Sequence, residues 1–425
     1  MKKLFALILA LVMSLSLVAC GGSNNNAAEP AADNNAAADE TETPAANDET
    51  EAPAANSDVK IGLICVEDEN SGYDYAHIAG LTEACENLGI DVATQVIFKY
   101  DIPEDESCYD TAVDLAEQGC TLIFSDSYGH QSYMLQAATE FPEVTFVSAT
   151  GDMAANSGLS NYKNFFTYVF ESRYVSGVVA GLKLKELLDN GEITDPYVDY
   201  VGAYPYAEVV SGFTGFFLGI KSIVPDAHMD VQFTNSWYDP VAEGEAANAL
   251  MARGAVIIGQ HADSTGAPSA VQAAKDAGST VYSVGYNIDM LAVAPTAALT
   301  SAQNNWVVIY QHIVEKFLAG EEVPVDYAAG YADGAVMISE LGPEVAEGTA
   351  EQVAAVEAAL TDGSLQVFDV STFTIDGETP TSILIDLDGD FVGETEGVVD
   401  GVFQESVLRS APGFTPIIDG ITTLN

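Results

Sequence analysis

Cations are scarce in this sequence. Thirteen Lys and Arg stand against 64 Asp and Glu in 425 residues, a formal net charge of −51. Phosphate backbones are gripped by clustered Lys and Arg, so this argues against a nucleic-acid partner. It argues equally against a polybasic hold on anionic lipid. An acid-rich surface keeps a protein soluble and steers anionic ligands away, so a neutral or cationic small molecule is expected. Catalytic signatures are also missing. There is no GxSxG, no HExxH, no Walker A loop and no GxGxxG after a strand, so neither an enzyme nor a cofactor is expected. Beyond the first twenty residues no apolar run is long enough to span a bilayer. Cysteines number five, with no CxxC pair and no metal spacing. A Cys108–Cys120 bridge would have to span the helix between them. Cys65, Cys85, Cys108 and Cys120 are therefore expected as buried free thiols.

The first twenty residues are the exception to this acidic, run-free pattern. Met1-Lys2-Lys3 precedes an apolar run from Leu4 to Val18, which ends in Leu17-Val18-Ala19-Cys20. This is the layout of a signal peptide over 1–19. The junction resembles the lipobox of bacterial lipoproteins, in which the cysteine, here Cys20, is acylated and becomes the new N-terminus. A plain secreted protein with a chance cysteine is the other reading. Residues 20–57 hold no aromatic, no Val, Ile or Leu, and no Lys or Arg. Such a segment cannot bury enough apolar surface to offset its ordering entropy, so an extended acidic linker is expected. Together these place the protein on the extracytoplasmic face of the cell membrane, lipid-anchored.

About 365 residues follow, more than one comfortable core, so two lobes are expected. From Val59 short apolar runs alternate with helical patterns. Strands are expected at Val59–Cys65, Asp91–Tyr100, Thr121–Ser125 and Val144–Ser148, with helices between them. After Arg173 the rhythm resumes, with strands at Val198–Ala203, Val231–Asn235, Val256–Gln260 and Val281–Tyr286. This predicts an α/β fold of two doubly wound, Rossmann-like units with parallel sheets. In the tail, Phe373–Phe391 alternates with period two around Asp376-Gly377 and Asp388-Gly389, which predicts a hairpin appendage. Asp386 to Asp390 hints at a calcium loop, but its glycine has the wrong offset and a turn is the better reading.

Ligands of open α/β sheets bind beyond the C-terminal strand ends. The loops there carry Tyr73, Tyr75 and His77, then Ser127 and Tyr128, Tyr204 and Glu208, Trp237 and Asp239, His261 and Asp263, and Asn287. Aromatic rings with a few amide, hydroxyl and carboxylate groups make a cleft for a small planar ligand. Each residue also has a structural reading. Rings cap cores, His77 and His130 sit on solvated surface, Glu208 bridges lobes, and Asp239 caps the helix that begins at Pro240.

Several of these loops carry a family resemblance. Gly72-Tyr73-Asp74-Tyr75-Ala76-His77, Asn235-Ser236-Trp237-Tyr238-Asp239-Pro240 and Gln260-His261-Ala262-Asp263-Ser264 resemble the basic membrane protein (BMP) family of ABC-transporter substrate-binding lipoproteins. So do Ala203 to Glu208, Glu171 to Gly177 and Gly285 to Met290. The resemblance runs from about Val59 to Phe368. It implies a type I periplasmic-binding-protein fold with three crossings between lobes, near Phe170–Arg173, after Gly285-Tyr286-Asn287, and near Gly320–Pro324. The lobes then comprise 58–171 with 290–322, and 172–289 with 323–425. It also implies a monomer that holds a purine base or nucleoside between the lobes and hands it to an ABC permease. By resemblance Tyr73, which sits where closer relatives carry Trp, stacks on the base, with Tyr128, Trp237 and Tyr204 as further walls. Asp239, His261 and Asp263 read ring nitrogens or an exocyclic amine. Asn287 departs from the family's usual aspartate, and no Lys lies between Thr300 and Trp306; both lean toward a free base. A sugar or signalling ligand, or a surface sensor without transport, are the alternatives.

Overall fold

The computed structural model describes residues 59–387 and 392–425. The expected signal segment, Cys20, the linker and the Asp388-Gly389 turn lie outside the described residues. The chain opens with β1 (Ile61–Ile64) and α1 (Gly72–Asn87), whose start is fixed by Ser71 Oγ accepting from Asp74 N. The expected strand at Asp91–Tyr100 is two elements. Asp91 caps a turn of helix, α2 (Val92–Gln95), by accepting from Ala93 N at 3.1 Å, and only β2 (Val96–Lys99) is extended. There follow α3 (Glu106–Glu117), β3 (Leu122–Ser125), α4 (Gln131–Glu140), β4 (Thr145–Ala149), α5 (Ala154–Ser157) and β5 (Tyr162–Thr167). The predicted rhythm omits β5, which has no helix of normal length before it to announce it.

Helix α6 (Val169–Asp189) then leads to the second sheet. That sheet takes β6 (Tyr197–Gly202), β7 (His228–Phe233), β8 (Ile257–Gln260) and β9 (Tyr282–Tyr286), linked by α7 (Ala207–Ile223), α8 (Pro240–Arg253) and α9 (Gly266–Asp276). Strand β10 (Ala298–Asn304) pairs in parallel with β9 and stays in this sheet. The second crossing therefore falls between Asn304 and α10 (Trp306–Leu318), not after Asn287. Trp306, Tyr310 and Ile313 of α10 pack into the first lobe, beside Phe165 and Leu81. The third crossing also lies later than expected. Strand β11 (Asp326–Ala329) pairs with β5 in the first sheet, and β12 (Val336–Ile338) returns to β10 in the second. The sheet orders are β11-β5-β4-β3-β1-β2 and β12-β10-β9-β8-β6-β7.

Helix α11 (Thr349–Thr361) packs on the second lobe through Val353, Val356 and Leu360. Asp376-Gly377 forms the expected tight turn, with both residues at positive φ and Ile375 bridged to Glu378. The rest of the tail is shorter-stranded than predicted. β13 (Leu384–Ile385) pairs with β14 (Thr395–Glu396), and β15 (Val398–Val399) with β16 (Val402–Phe403) around Asp400-Gly401. β17 (Ile421–Thr423) then adds to β7 as a parallel edge of the second sheet. Phe368 stacks on Phe414 at 4.6 Å, so the tail shares the second lobe's core. The four thiols are free and buried. Burial pushes the Cys85 thiol up to about 12 and Cys120 to about 11.

Candidate functional site

The C-terminal strand ends of both sheets face one cavity. From the first lobe come Val66 and Tyr73 after β1, Asp126, Ser127 and Tyr128 after β3, and Thr150 after β4. From the second come Glu208 at the start of α7, Trp237 after β7, His261 and Asp263 after β8, and Tyr286 at the end of β9. The space free of protein atoms, part of it open to solvent, is about 330 Å³. The cavity is a slot walled in part by the rings of Tyr73, Tyr128, Trp237, His261 and Tyr286. The lobes touch around it: Gly72 N donates to the Asp263 carbonyl at 3.1 Å, and the rings of Tyr128 and Tyr206 lie 5.9 Å apart. A Cβ on Gly72 would sit 3.3 Å from that carbonyl, so glycine allows the approach.

Each wall is held from behind. Tyr73 donates its hydroxyl to the Asp126 carbonyl at 2.7 Å, which fixes its ring. Asp263 N donates to the Trp237 carbonyl at 2.9 Å, tying two loops of the second lobe together. Arg173, 2 % exposed, lays its guanidinium 3.6 Å from the Tyr286 ring centroid and donates to the Gln260 carbonyl at 2.5 Å. His261 Nε2 lies 3.2 Å from Glu208 Oε1, within hydrogen-bonding distance.

Burial dominates the electrostatics. It pushes the Glu208 carboxyl up to about 7 against the opposing pull of Arg173. Asp263 is raised well above the usual carboxylate range by burial and by the carboxylates of Asp74, Glu243 and Glu208. Asp126 is raised by burial and then by Asp74. His261 is held well below its ordinary value by burial and by Arg173. Near neutral pH the slot is therefore lined by largely uncharged acids and a neutral imidazole. Such groups donate and accept hydrogen bonds to a neutral guest without a charge to neutralise. Trp237 Nε1 is buried and has no hydrogen-bond partner among the described residues, a donor available to a ligand.

Seven of the residues singled out from sequence meet here: Tyr73, Ser127, Tyr128, Glu208, Trp237, His261 and Asp263. Five do not line the slot. Tyr75 is 51 % exposed, on the outer face of α1. His77 is fully buried behind Tyr73, stacked 3.9 Å from Trp306 and bonded through Nδ1 to the Tyr310 hydroxyl at 2.6 Å. It is neither solvated nor at the slot. Tyr204 packs edge-on against Trp237 at 5.1 Å and faces an outer groove. Asp239 caps α8, accepting from Val241 N and Ala242 N at 3.0 Å each. Asn287, at φ 64°, donates to Asp263 Oδ1 at 2.8 Å and so positions a wall residue. Ser127 is at the wall but its hydroxyl is committed to Glu104 at 2.5 Å. His130 is buried, bonded to the Ile102 carbonyl at 2.8 Å, and not solvated as expected. Val66, Asp126, Thr150 and Tyr286 were not anticipated. The signal was available, since each ends a strand or follows one within two residues.

Behind the slot, ligand atoms of Cys65, Asp74 and Asp126 lie within 4.8 Å of one another, all buried. Burial and the two carboxylates push the Cys65 thiol up, so it stays protonated. The Asp126 carboxyl, raised first by burial, is raised further by the neighbouring Asp74 carboxylate.

A family described as ABC transporter substrate-binding protein PnrA-like (Bmp) matches residues 60–366, most of the chain. This chain belongs to that family. Among curated relatives, a purine-binding protein of Brucella abortus is 32 % identical over 313 residues, 73 % of this chain and 83 % of the relative. A Haloferax volcanii protein, provisionally named an ABC transporter glucose-binding protein, is 32 % identical over 67 % of each chain. Solved solute-binding proteins share the fold. One from Aeropyrum pernix has a TM-score of 0.62 at 16 % identity, covering 76 % of this chain and 94 % of that one. Another, from Conexibacter woesei, has a TM-score of 0.57 at 22 % identity over 72 % and 98 %. The family's role is binding rather than turnover, for a small-molecule ligand and a permease. The family match stops at 366, so the tail that follows lies outside it.

Proposed function

We propose that this protein captures a purine base or nucleoside in the inter-lobe slot and delivers it to an ABC permease from a lipid anchor on the extracytoplasmic face of the membrane. The ring-walled, largely uncharged slot carries this reading. A heterocycle is flat and uncharged, and each stacked ring contributes about 1–3 kcal/mol. The purine-binding name of the Brucella abortus relative supports the same class. The lobes close by a hinge around the guest, and the closed form is what the permease recognises. Cys20 supplies the anchor.

A thermal-shift panel tests the ligand: adenine, guanine, hypoxanthine, xanthine, their nucleosides, and common sugars. A raised melting temperature with a purine compound is expected. A shift with glucose alone would move the assignment to a sugar, the reading that the Haloferax volcanii name favours. Mass spectrometry of the N-terminus and fractionation of a C20S variant test the anchor; a protein that stays with the membrane after that change is not held by Cys20.

A further inference from the structure

The C-terminal tail, which lies beyond the region matched by the family, is rooted in one lobe and reaches the other. Phe403 and Phe414 are both buried in the second lobe's core, with ring centroids 5.1 Å apart. Residues 404–413 leave that core and return to it. The loop is closed on itself, because the buried Glu405 carboxyl accepts from Gly413 N and Phe414 N at 2.8 Å each and so joins its two ends. Inside the loop Arg409 Nη2 donates to the Pro412 carbonyl at 3.1 Å, which helps to aim the guanidinium. Beyond it, β17 and Asn425 tie the end of the tail to β7.

The far side of this loop lands on the first lobe. Arg409 Nη1 donates to Asp152 Oδ2 at 3.3 Å. Ser410 donates twice to Asp326 Oδ1, from N at 3.1 Å and from Oγ at 2.9 Å. Asp326 opens β11, the edge strand of the first sheet, and Asp152 follows β4 just past Thr150 of the slot wall. Elsewhere in the tail, the Leu387 carbonyl accepts from Asn156 Nδ2 of α5 at 2.7 Å. The side chains of Arg409 and Asp152 are only 10 % and 5 % exposed, so salt screens their attraction weakly. The pair spans two bodies. Parting the lobes at Asp152 breaks it, whereas the anchors of the loop within the second lobe stay whole. None of these tail contacts passes through a guest in the slot.

We propose that residues 404–413 form a clasp, carried by the second lobe and fastened on the first, that holds the lobes closed without help from a ligand. The clasp sets the balance between closed and open lobes that a ligand then meets.

The Gly72 amide reads that balance. It is the first residue of α1, so it has no partner within the helix, and its hydrogen bond crosses to the Asp263 carbonyl of the second lobe. The experiment is residue-resolved hydrogen exchange on the full folded chain with no ligand added, for the unaltered protein and for D152A, R409M, their double variant and S410A. Gly72 should be protected in the unaltered protein and exchange at least fivefold faster in D152A and in R409M, while the amides of β3 and β8 keep their protection. The double variant should be no faster than the faster single, since the two side chains act through each other. S410A removes one hydroxyl and strands no charge, so it reads the clasp even where D152A or R409M loosens a lobe; a smaller acceleration at Gly72 is expected. A Gly72 amide already unprotected in the unaltered protein overturns the clasp, and so does one whose exchange neither S410A nor the two charge variants change. No ligand is added, so neither result touches the purine assignment.

Discussion

Glu208 Oε1 and His261 Nε2 meet at 3.2 Å in the slot wall, and neither carries a full charge near neutral pH. Burial holds the carboxyl up to about 7 and the imidazole below its ordinary value. Raising the pH from 6 to 8.5 strips the proton from Glu208 and leaves a carboxylate facing the guest. Affinity for a neutral heterocycle should then fall severalfold over that range. In E208Q the fall should flatten. Titration calorimetry at four pH values checks this, and an equally steep profile in the variant would remove Glu208 as its source.

Stability should have the same sign, from groups away from the slot. Glu405 accepts from Gly413 N and Phe414 N at 2.8 Å each and is raised to about 7 by burial. Burial raises Glu171 and Glu243 to about 7 as well, and Asp199 to about 8. For each, the folded protein holds a proton that the unfolded chain has lost, over the interval between the unfolded and folded values. Their contribution is present below the unfolded value and is lost as pH rises through the folded one. Buried His77, His130 and His261 are lowered and oppose this below about 6.5, where the unfolded chain takes up protons. The raised carboxyls outnumber them. Melting temperature should rise as pH falls from 8 to about 5.5, and E405Q should show a shallower rise.

Trp237 stands in the slot wall with its ring braced edge-on by Tyr204 at 5.1 Å. Trp237→Ala removes one stacking face and one unpaired donor. Affinity should drop about tenfold or more, in line with the ~1–3 kcal/mol of a base–aromatic stack. Unchanged binding would take Trp237 out of the site.

The slot was legible in the sequence because a doubly wound sheet puts its strand ends on one edge, so loops far apart in the chain converge. What sequence could not show is which residue of a loop turns inward. His77 and Tyr73 are one helical turn apart on α1, yet α10 crosses from beyond the second sheet to place Trp306 over His77 and leave Tyr73 at the wall. That crossing depends on β10 joining β9, a long-range choice that local periodicity does not encode. Asp239 was ambiguous for a related reason, because a capping carboxylate and a ligand carboxylate look alike before the helix start is fixed. Beyond the Asp376-Gly377 turn, the tail's strands escaped because they are two or three residues long. Nor does local pattern reveal that Arg409 meets Asp152, 257 residues earlier in the chain.

Asn287 shows how a position can serve the slot without lining it. Its amide donates to Asp263 Oδ1 at 2.8 Å, in a place already crowded with carboxylates. N287D would replace that donor by a second acid, and two carboxyls at this distance cannot both ionise. Affinity should fall at pH 8 and recover at pH 5.5, where one of the pair holds a proton. Loss of equal size at both pH values would point to a distorted loop instead.

The second lobe rests on a close helix crossing that leaves little room for variation. A Cβ on Gly177 of α6 would sit 2.0 Å from the Phe216 carbonyl, and one on Gly219 of α7 would sit 2.1 Å from the Tyr174 carbonyl. Both obstacles are backbone, so no side chain can swing aside. The helices would have to separate, opening the packing of Val178, Phe213 and Phe217 between them and the sheet. Overpacking of this kind costs about 1–3 kcal/mol and sometimes more. Gly219→Ala should therefore lower the melting temperature by several degrees. Gly278→Ala is a useful contrast: nothing lies within 4 Å of its Cβ, and its cost comes from a φ of 97° alone. Ligand should raise the melting temperature of Gly278→Ala as it does that of the unaltered protein. In Gly219→Ala the response should shrink, because α7 carries Glu208 at its first turn.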